Sequence, residues 1–206
     1  MGLNLQSMTK IAQCAIHFEP ALEALVPLDR RGNQYVLSNW IDNSCFAEKS
    51  WTREAVIQMI GRSPSIRHLR EIMCPKPPYR YYAWNFHAHA KFGTVEFRKG
   101  SASVNAEQAI LWADLAILFV QAALNVDIEQ LNEVPANVGA LKSFLGKDNL
   151  ACLAPLLRGT SDSDCVQPTR TLNRSKEEVA ILNEKLNDDA RKQQALAQKS
   201  AGQGPA

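Results

Sequence analysis

Residues 79 to 98, YRYYAWNFHAHAKFGTVEFR, decide how this chain folds. Tyr82, Trp84 and Phe86 alternate with Ala83, Asn85, His87 and His89, a period of two that predicts a strand with one apolar and one more polar face. After a turn around Lys91 to Gly93, Val95 and Phe97 alternate with Thr94, Glu96 and Arg98, which predicts a second strand. A connecting loop of two or four residues sets His89 across from Thr94, His87 across from Glu96 and Asn85 across from Arg98. A three-residue loop would set Phe86 against Glu96. The even loop is therefore expected, and it gathers Asn85, His87, Glu96 and Arg98 on one face.

The flanking sequence is helical. Ile11, Ala15, Phe18 and Leu22 recur at helical spacing within residues 3 to 26, with Pro20 marking a kink or a new start. The stretch PLDRRGNQYVLSN, from Pro27, carries Gly32 and Asn33 as turn formers and reads as irregular. Ser50 or Thr52 caps a helix that stops near Gly61, and Ser63 with Pro64 opens another that ends before CPKPP. Beyond the hairpin, Ser103 or Asn105 caps a long helix with Glu107 in its first turn. That helix is apolar nearly all round, which predicts a place in the core against the hairpin. Shorter helices follow to Leu157. The fold class expected is α+β, mainly helical with a short antiparallel β-hairpin or sheet. Residues 1–157 form the domain; residues 158–206 form a flexible linker and a polar tail, with a helix candidate over 175 to 198.

Composition agrees with a folded, soluble domain: of 206 residues 46% are hydrophobic and 21% charged. The net charge of +2 gives no whole-molecule attraction for nucleic acid or anionic membrane. The first 100 residues hold 13 Lys and Arg against 8 Asp and Glu, a balance that suits an anionic ligand, although a solvated face with excess Arg is its commoner cause. Five scattered cysteines without a C-x-x-C pair point to a reducing compartment and a cytoplasmic protein. Polar residues interrupt any N-terminal apolar run, and the stretch Ala109 to Leu124 is shorter than a bilayer span and holds Asp114 and Gln121.

Glu96 and Arg98, two apart on a strand, point the same way with Cα atoms about 6.5–7 Å apart. A carboxylate can hold Mg²⁺ while a guanidinium beside it holds a phosphate or carboxylate oxygen, the pairing that phosphoryl chemistry needs. A structural ion pair on a half-exposed sheet has the same pattern. His87 and His89 form an H-x-H pair without a further ligand nearby except Glu96, and the alternative to zinc is a hydrogen bond from His87 to Glu96. Asp114, within an apolar helix, is expected to pair or to face a polar cavity, with a structural partner such as a nearby Arg the favoured reading.

YYAWNFHAHAKFGTVEFRKGSASVNAEQAILWADLAILFVQAAL, with HFEPALEALVPLDRRGNQY before it, resembles the fungal members of the amidoligase family, relatives of glutamine synthetase and glutamate–cysteine ligase. The resemblance implies a remnant of a glutamine-synthetase-like fold. It also implies a two-step reaction in which ATP converts a small-molecule carboxylate to an acyl phosphate and an amine then forms the amide. It assigns Glu96 as a Mg²⁺ ligand, Arg98 as the contact to phosphate or carboxylate, Asn85 and His87 to substrate, and Arg30, Arg31 and Asn33 to the nucleotide. The family's acidic strands, which a Mg–ATP site needs beside a single Glu, precede the part this chain resembles. The chain is therefore expected to be a truncated, partial amidoligase-like domain or to depend on a protein partner that completes the site, and a role in fungal secondary-metabolite biosynthesis is a family-level expectation. The rival expectation is a catalytically inactive interaction or accessory protein.

Overall fold

The computed structural model describes residues 2–27, 30–47, 51–75 and 79–168. Helix α1, Leu5–His17, is capped by Asn4, whose side chain accepts from the Ser7 amide. It stops where Pro20 requires a fresh first turn, and α2, Glu19–Ala24, begins there. Helices α3 (Ser44–Ala47), α4 (Arg53–Gly61, capped by Thr52) and α5 (Ile66–Met73, capped by Ser65) follow. Strands β1, Trp84–Asn85, and β2, Glu96–Phe97, form a two-stranded antiparallel sheet, and helix α6, His89–Phe92, lies between them. The chain continues through α7 (Ala106–Asn125), α8 (Ile128–Leu131), α9 (Val138–Leu145) and α10 (Leu150–Leu157). The class is α+β, helix-rich with one small hairpin, as the sequence predicts.

Helix α1 is the centre of the core. Met8, Ile11, Ala12, Ala15 and Ile16 are fully buried, and the helix packs on α4, α5, α7 and α8. Cys14 on α1 and Cys74 at the end of α5 are also fully enclosed, and burial pushes both thiols up to about 12. Cys152 and Cys165 are exposed.

Two expectations need correction. The long helix α7, read as a core helix, buries only Leu115, Phe119 and Ala123. Its other side carries Ile110, Ile117 and Leu124, at 58%, 54% and 37% exposure, because α1, α9 and α10 cover one side only. Asp114 is half-buried and has no hydrogen-bond or ion-pair partner among the described residues, the residual solvent contact meeting the need that full burial would create.

Of the segment read as linker and tail, residues 158–168 are described. Val138 donates to the Asp164 carbonyl and Gly139 to that of Asp162, both at 2.9 Å, while Val166 donates to Pro20 at 3.1 Å. The helix candidate over 175 to 198 lies outside the described residues.

Candidate functional site

The hairpin is held from its far side by residues 37–39. Ala83 donates to the Leu37 carbonyl at 2.8 Å and Leu37 donates to Tyr81. Asn39 then acts as a strand in one side chain: its Oδ1 accepts from Trp84 N at 2.8 Å, and its Nδ2 donates to the carbonyls of Trp84 and Met73 at 3.0 and 3.1 Å. β1 is thereby fixed on the edge away from β2, which pairs with it so that Trp84 lies opposite Phe97 and Asn85 opposite Glu96.

This register differs by two residues from the expected one, while its parity is the same, so the polar faces still coincide. The physical reason lies in Asn85. Its Oδ1 accepts from His87 N at 3.0 Å, starting a 3₁₀ turn over Phe86–Ala88 that ends the strand and leads into α6. Gly93, at φ +70°, then ends α6 in the left-handed conformation that glycine tolerates. The connection therefore spans residues 86–95, and both histidines leave the hairpin. His87 packs against the end of α5, where burial and then Arg70 lower its pKa. The His89 imidazole is 2.9 Å from the Leu3 carbonyl.

On the apolar face, the Trp84 ring lies 4.6 Å from that of Phe97 and 4.9 Å from that of Phe119 on α7. On the polar face, Glu96 is held from both sides, Oε2 accepting from Asn85 Nδ2 at 2.8 Å and Oε1 from Arg98 Nη1. The Arg98 guanidinium sits 5.9 Å from the Tyr81 ring centroid, with Arg80 at 5.2 Å from the same ring. Arg30 reaches across from its loop, and its Nη2 donates to the carbonyls of Arg98 and Gly100 at 3.1 and 2.9 Å.

Asn85, Glu96, Arg98 and Arg30 are thus brought together, with Arg80 alongside. Arg98 and Arg80 at the Tyr81 ring outnumber the one carboxylate of this face, and Arg30 stands nearby with its Nη2 on two backbone carbonyls; arginine is the side chain best shaped to take phosphate or carboxylate in two bonds. Arg31 and Asn33 are employed otherwise: Arg31 caps the end of α2 through the carbonyls of Val26 and Ala24, and Asn33 Oδ1 accepts from Tyr35 N in a local turn.

A groove of about 660 Å³ runs on the other side of the hairpin, between Val95, Phe97, Trp112, Ala116 and Ile117, and Arg98 borders it. Where the chain leaves the hairpin for α7 there is no room to spare: a Cβ at Gly100 would lie 2.9 Å from Trp112 Cγ. Among the described residues no group of three or more His, Cys, Asp or Glu side chains is placed to hold a metal ion. The arginines therefore suit the anionic part of a magnesium nucleotide, whereas Glu96 offers it one carboxylate, one of whose oxygens Arg98 would have to yield.

A family model described as "Putative amidoligase enzyme" matches residues 2–120. This chain belongs to the amidoligase family. The match spans α1 to α7 and so includes every residue of the cationic face. No curated protein and no solved structure matches the chain.

Sequence reasoning missed Lys99, Glu23 and Asn39 here. Lys99 is 3% exposed and paired with Glu23, itself 1% exposed. The signal was available in the alternation. Lys99 shares the parity of Val95 and Phe97, so it falls on the inward face, where a lysine requires a buried acid.

Proposed function

We propose that this amidoligase takes part in ATP- and Mg²⁺-dependent amide formation between a small-molecule carboxylate and an amine, by way of an acyl phosphate. The observation that carries the proposal is the pairing of Arg98 with Glu96 on one face of the hairpin, with Arg30 held beside them on the carbonyls of Arg98 and Gly100, within a chain of this family. Arg98 and Arg30 hold a phosphate or carboxylate group; Asn85 fixes the rotamer of Glu96; among the described residues Glu96 is the one carboxylate this face offers to the metal. Magnesium, when bound, neutralises charge on the phosphates. Because octahedral Mg²⁺ in nucleotide sites draws on more than one carboxylate and several waters, a second polypeptide supplies the remaining acids. Kinship with the glutamine-synthetase fold, a cytoplasmic location and a place in fungal secondary metabolism belong to the same proposal.

Isothermal titration tests it. Mg–ATP should bind the wild-type chain and bind Arg98→Met about tenfold more weakly, the loss of one charge-assisted contact, with Glu96→Gln losing the magnesium dependence. Equal heats from wild type and Arg98→Met, or none from wild type, would remove the proposal.

The exposed Ile110, Ile117 and Leu124, seven residues apart on α7, favour a second reading in which the chain is an accessory protein without catalysis. Size-exclusion chromatography separates the two: a clean monomer that binds Mg–ATP favours the ligase reading, and association without nucleotide binding favours the accessory one.

A further inference from the structure

The groove between β2 and α7 is apolar along both walls, and among the described residues Arg98 is the one charged residue on its border. Val95, Phe97 and Trp84 come from the hairpin, and Trp112, Ala116 and Ile117 from the facing side of α7. The lining on α7 runs from Trp112 to Val120, about 12 Å of helix axis. Trp112 spends its only donor on Ser101 Oγ at 3.2 Å, so its indole offers the groove a ring and no hydrogen bond. A volume of about 660 Å³ is that of a small-molecule site.

Arg98 sits at the seam between this groove and the polar face. β2 ends at Phe97, and the Arg98 amide still donates to the Ala83 carbonyl at 2.8 Å. Its Nη1 donates to Glu96 on the polar face, yet the residue also borders the groove. Its Nε has no hydrogen-bond partner among the described residues. A guanidinium carries more N–H donors than the bond to Glu96 uses, and a carboxylate is the group that best takes up the rest.

This distribution of charge selects among occupants. An α-ammonium group lying in the groove would meet no carboxylate there, and its lost hydration would go uncompensated. A neutral apolar molecule, or an apolar protein surface laid over the groove, would leave the spare donors of Arg98 unsatisfied. An anion joined to an apolar body satisfies both parts.

We propose that the groove holds the acid this ligase activates, a monocarboxylic acid with an elongated apolar body and no amino group, its carboxylate on Arg98 at the edge of the polar face. The fate of that acid rests on the function proposed above; its binding does not.

The test uses the full chain with ¹³C-labelled Ile and Val methyl groups, titrated at pH 7 with butanoate, hexanoate, octanoate, 1-octanol and L-glutamate. Octanoate, below its micellar concentration, should shift the Val95 and Ile117 methyl resonances to saturation, and affinity should rise about two- to fourfold per methylene along the acid series. L-Glutamate should leave both resonances in place. Arg98→Met should weaken octanoate about tenfold and leave 1-octanol unchanged, whereas Ala116→Phe, which fills the middle of the groove, should weaken both. Unmoved methyl groups, an affinity independent of chain length, or 1-octanol bound as tightly as octanoate overturns the proposal. So do Val95 and Ile117 resonances that depend on protein concentration without ligand, since the groove is then an interface between copies of the chain. If a variant does not fold, the acid series and the comparison of octanoate with 1-octanol decide in wild type alone. A separate titration with Mg–ATP keeps the two readings apart: octanoate binding without Mg–ATP binding removes the ligase function and leaves the acid site, and the converse removes the acid site alone.

Discussion

The chain through and just beyond β2 carries two ion pairs of the same chemistry in opposite settings. Glu96 and Arg98 keep 43% and 28% of their side-chain surface exposed; Glu23 and Lys99 keep 1% and 4%. Water screens the first pair and the opposed charges can separate cheaply, so the pair is free to exchange partners with a ligand. The second pair has no such freedom, because parting it strands a charge in a low-dielectric interior. Strand parity alone creates this division. One residue of displacement along the chain separates a group available for binding from one committed to the framework.

The largest test of that contrast is Lys99→Met. Leaving Glu23 buried and unpaired should cost about 3–5 kcal/mol in urea unfolding, whereas Lys99→Met combined with Glu23→Leu should recover most of the loss. A single substitution costing under about 1 kcal/mol would mean that the pair is wet and the contrast false. Asn39→Ala comes next. It strands the amide of Trp84 and takes the better donor from the carbonyls of Trp84 and Met73, which keep Cys74 and Asn43, and about 1–3 kcal/mol is expected, with Gln at this position failing to restore it because the longer side chain misplaces both hydrogen-bonding atoms.

A third test concerns pH. The Glu19 carboxyl is raised to about 7 in the folded protein, above its unfolded value in the ordinary carboxylate range. The folded state thus holds more protons, and the contribution of this group is complete below the unfolded value and disappears as pH rises through about 7. Between those limits wild-type stability should fall by up to about 1.4 kcal/mol per pH unit relative to Glu19→Gln. A parallel pair of curves in thermal melts would contradict it. The smallest effect is expected at the exposed pair: Arg98→Met should change stability by about 0–1 kcal/mol, and the change should shrink in high salt. A loss comparable with that of Lys99→Met would erase the distinction between the two faces.

Much of this arrangement was legible before any coordinates. Pro20 marked the break between α1 and α2, Thr52 and Asn105 marked helix starts, and period-two alternation put Asn85, Glu96 and Arg98 on one face. The register was not legible, because Phe86 to His89 satisfy a strand pattern while Asn85 caps a turn that ends the strand, and alternation does not report a cap. Arg31 shows a similar limit. Basic residues beside a glycine suit a phosphate, and they equally suit the carbonyls at a helix end, which is where Arg31 went. The exposure of α7 escaped for a different reason: an apolar surface in a sequence does not say whether this chain covers it.

The sealed cysteines of the core offer a handle on its motions. A thiol-alkylating reagent at pH 8 meets Cys152 and Cys165 at the surface, yet Cys14 is enclosed and its thiolate is suppressed by burial. Its modification must await departure of α1 from its neighbours, so the slow phase of labelling counts openings of the domain's interior, using a clock already built into the native chain.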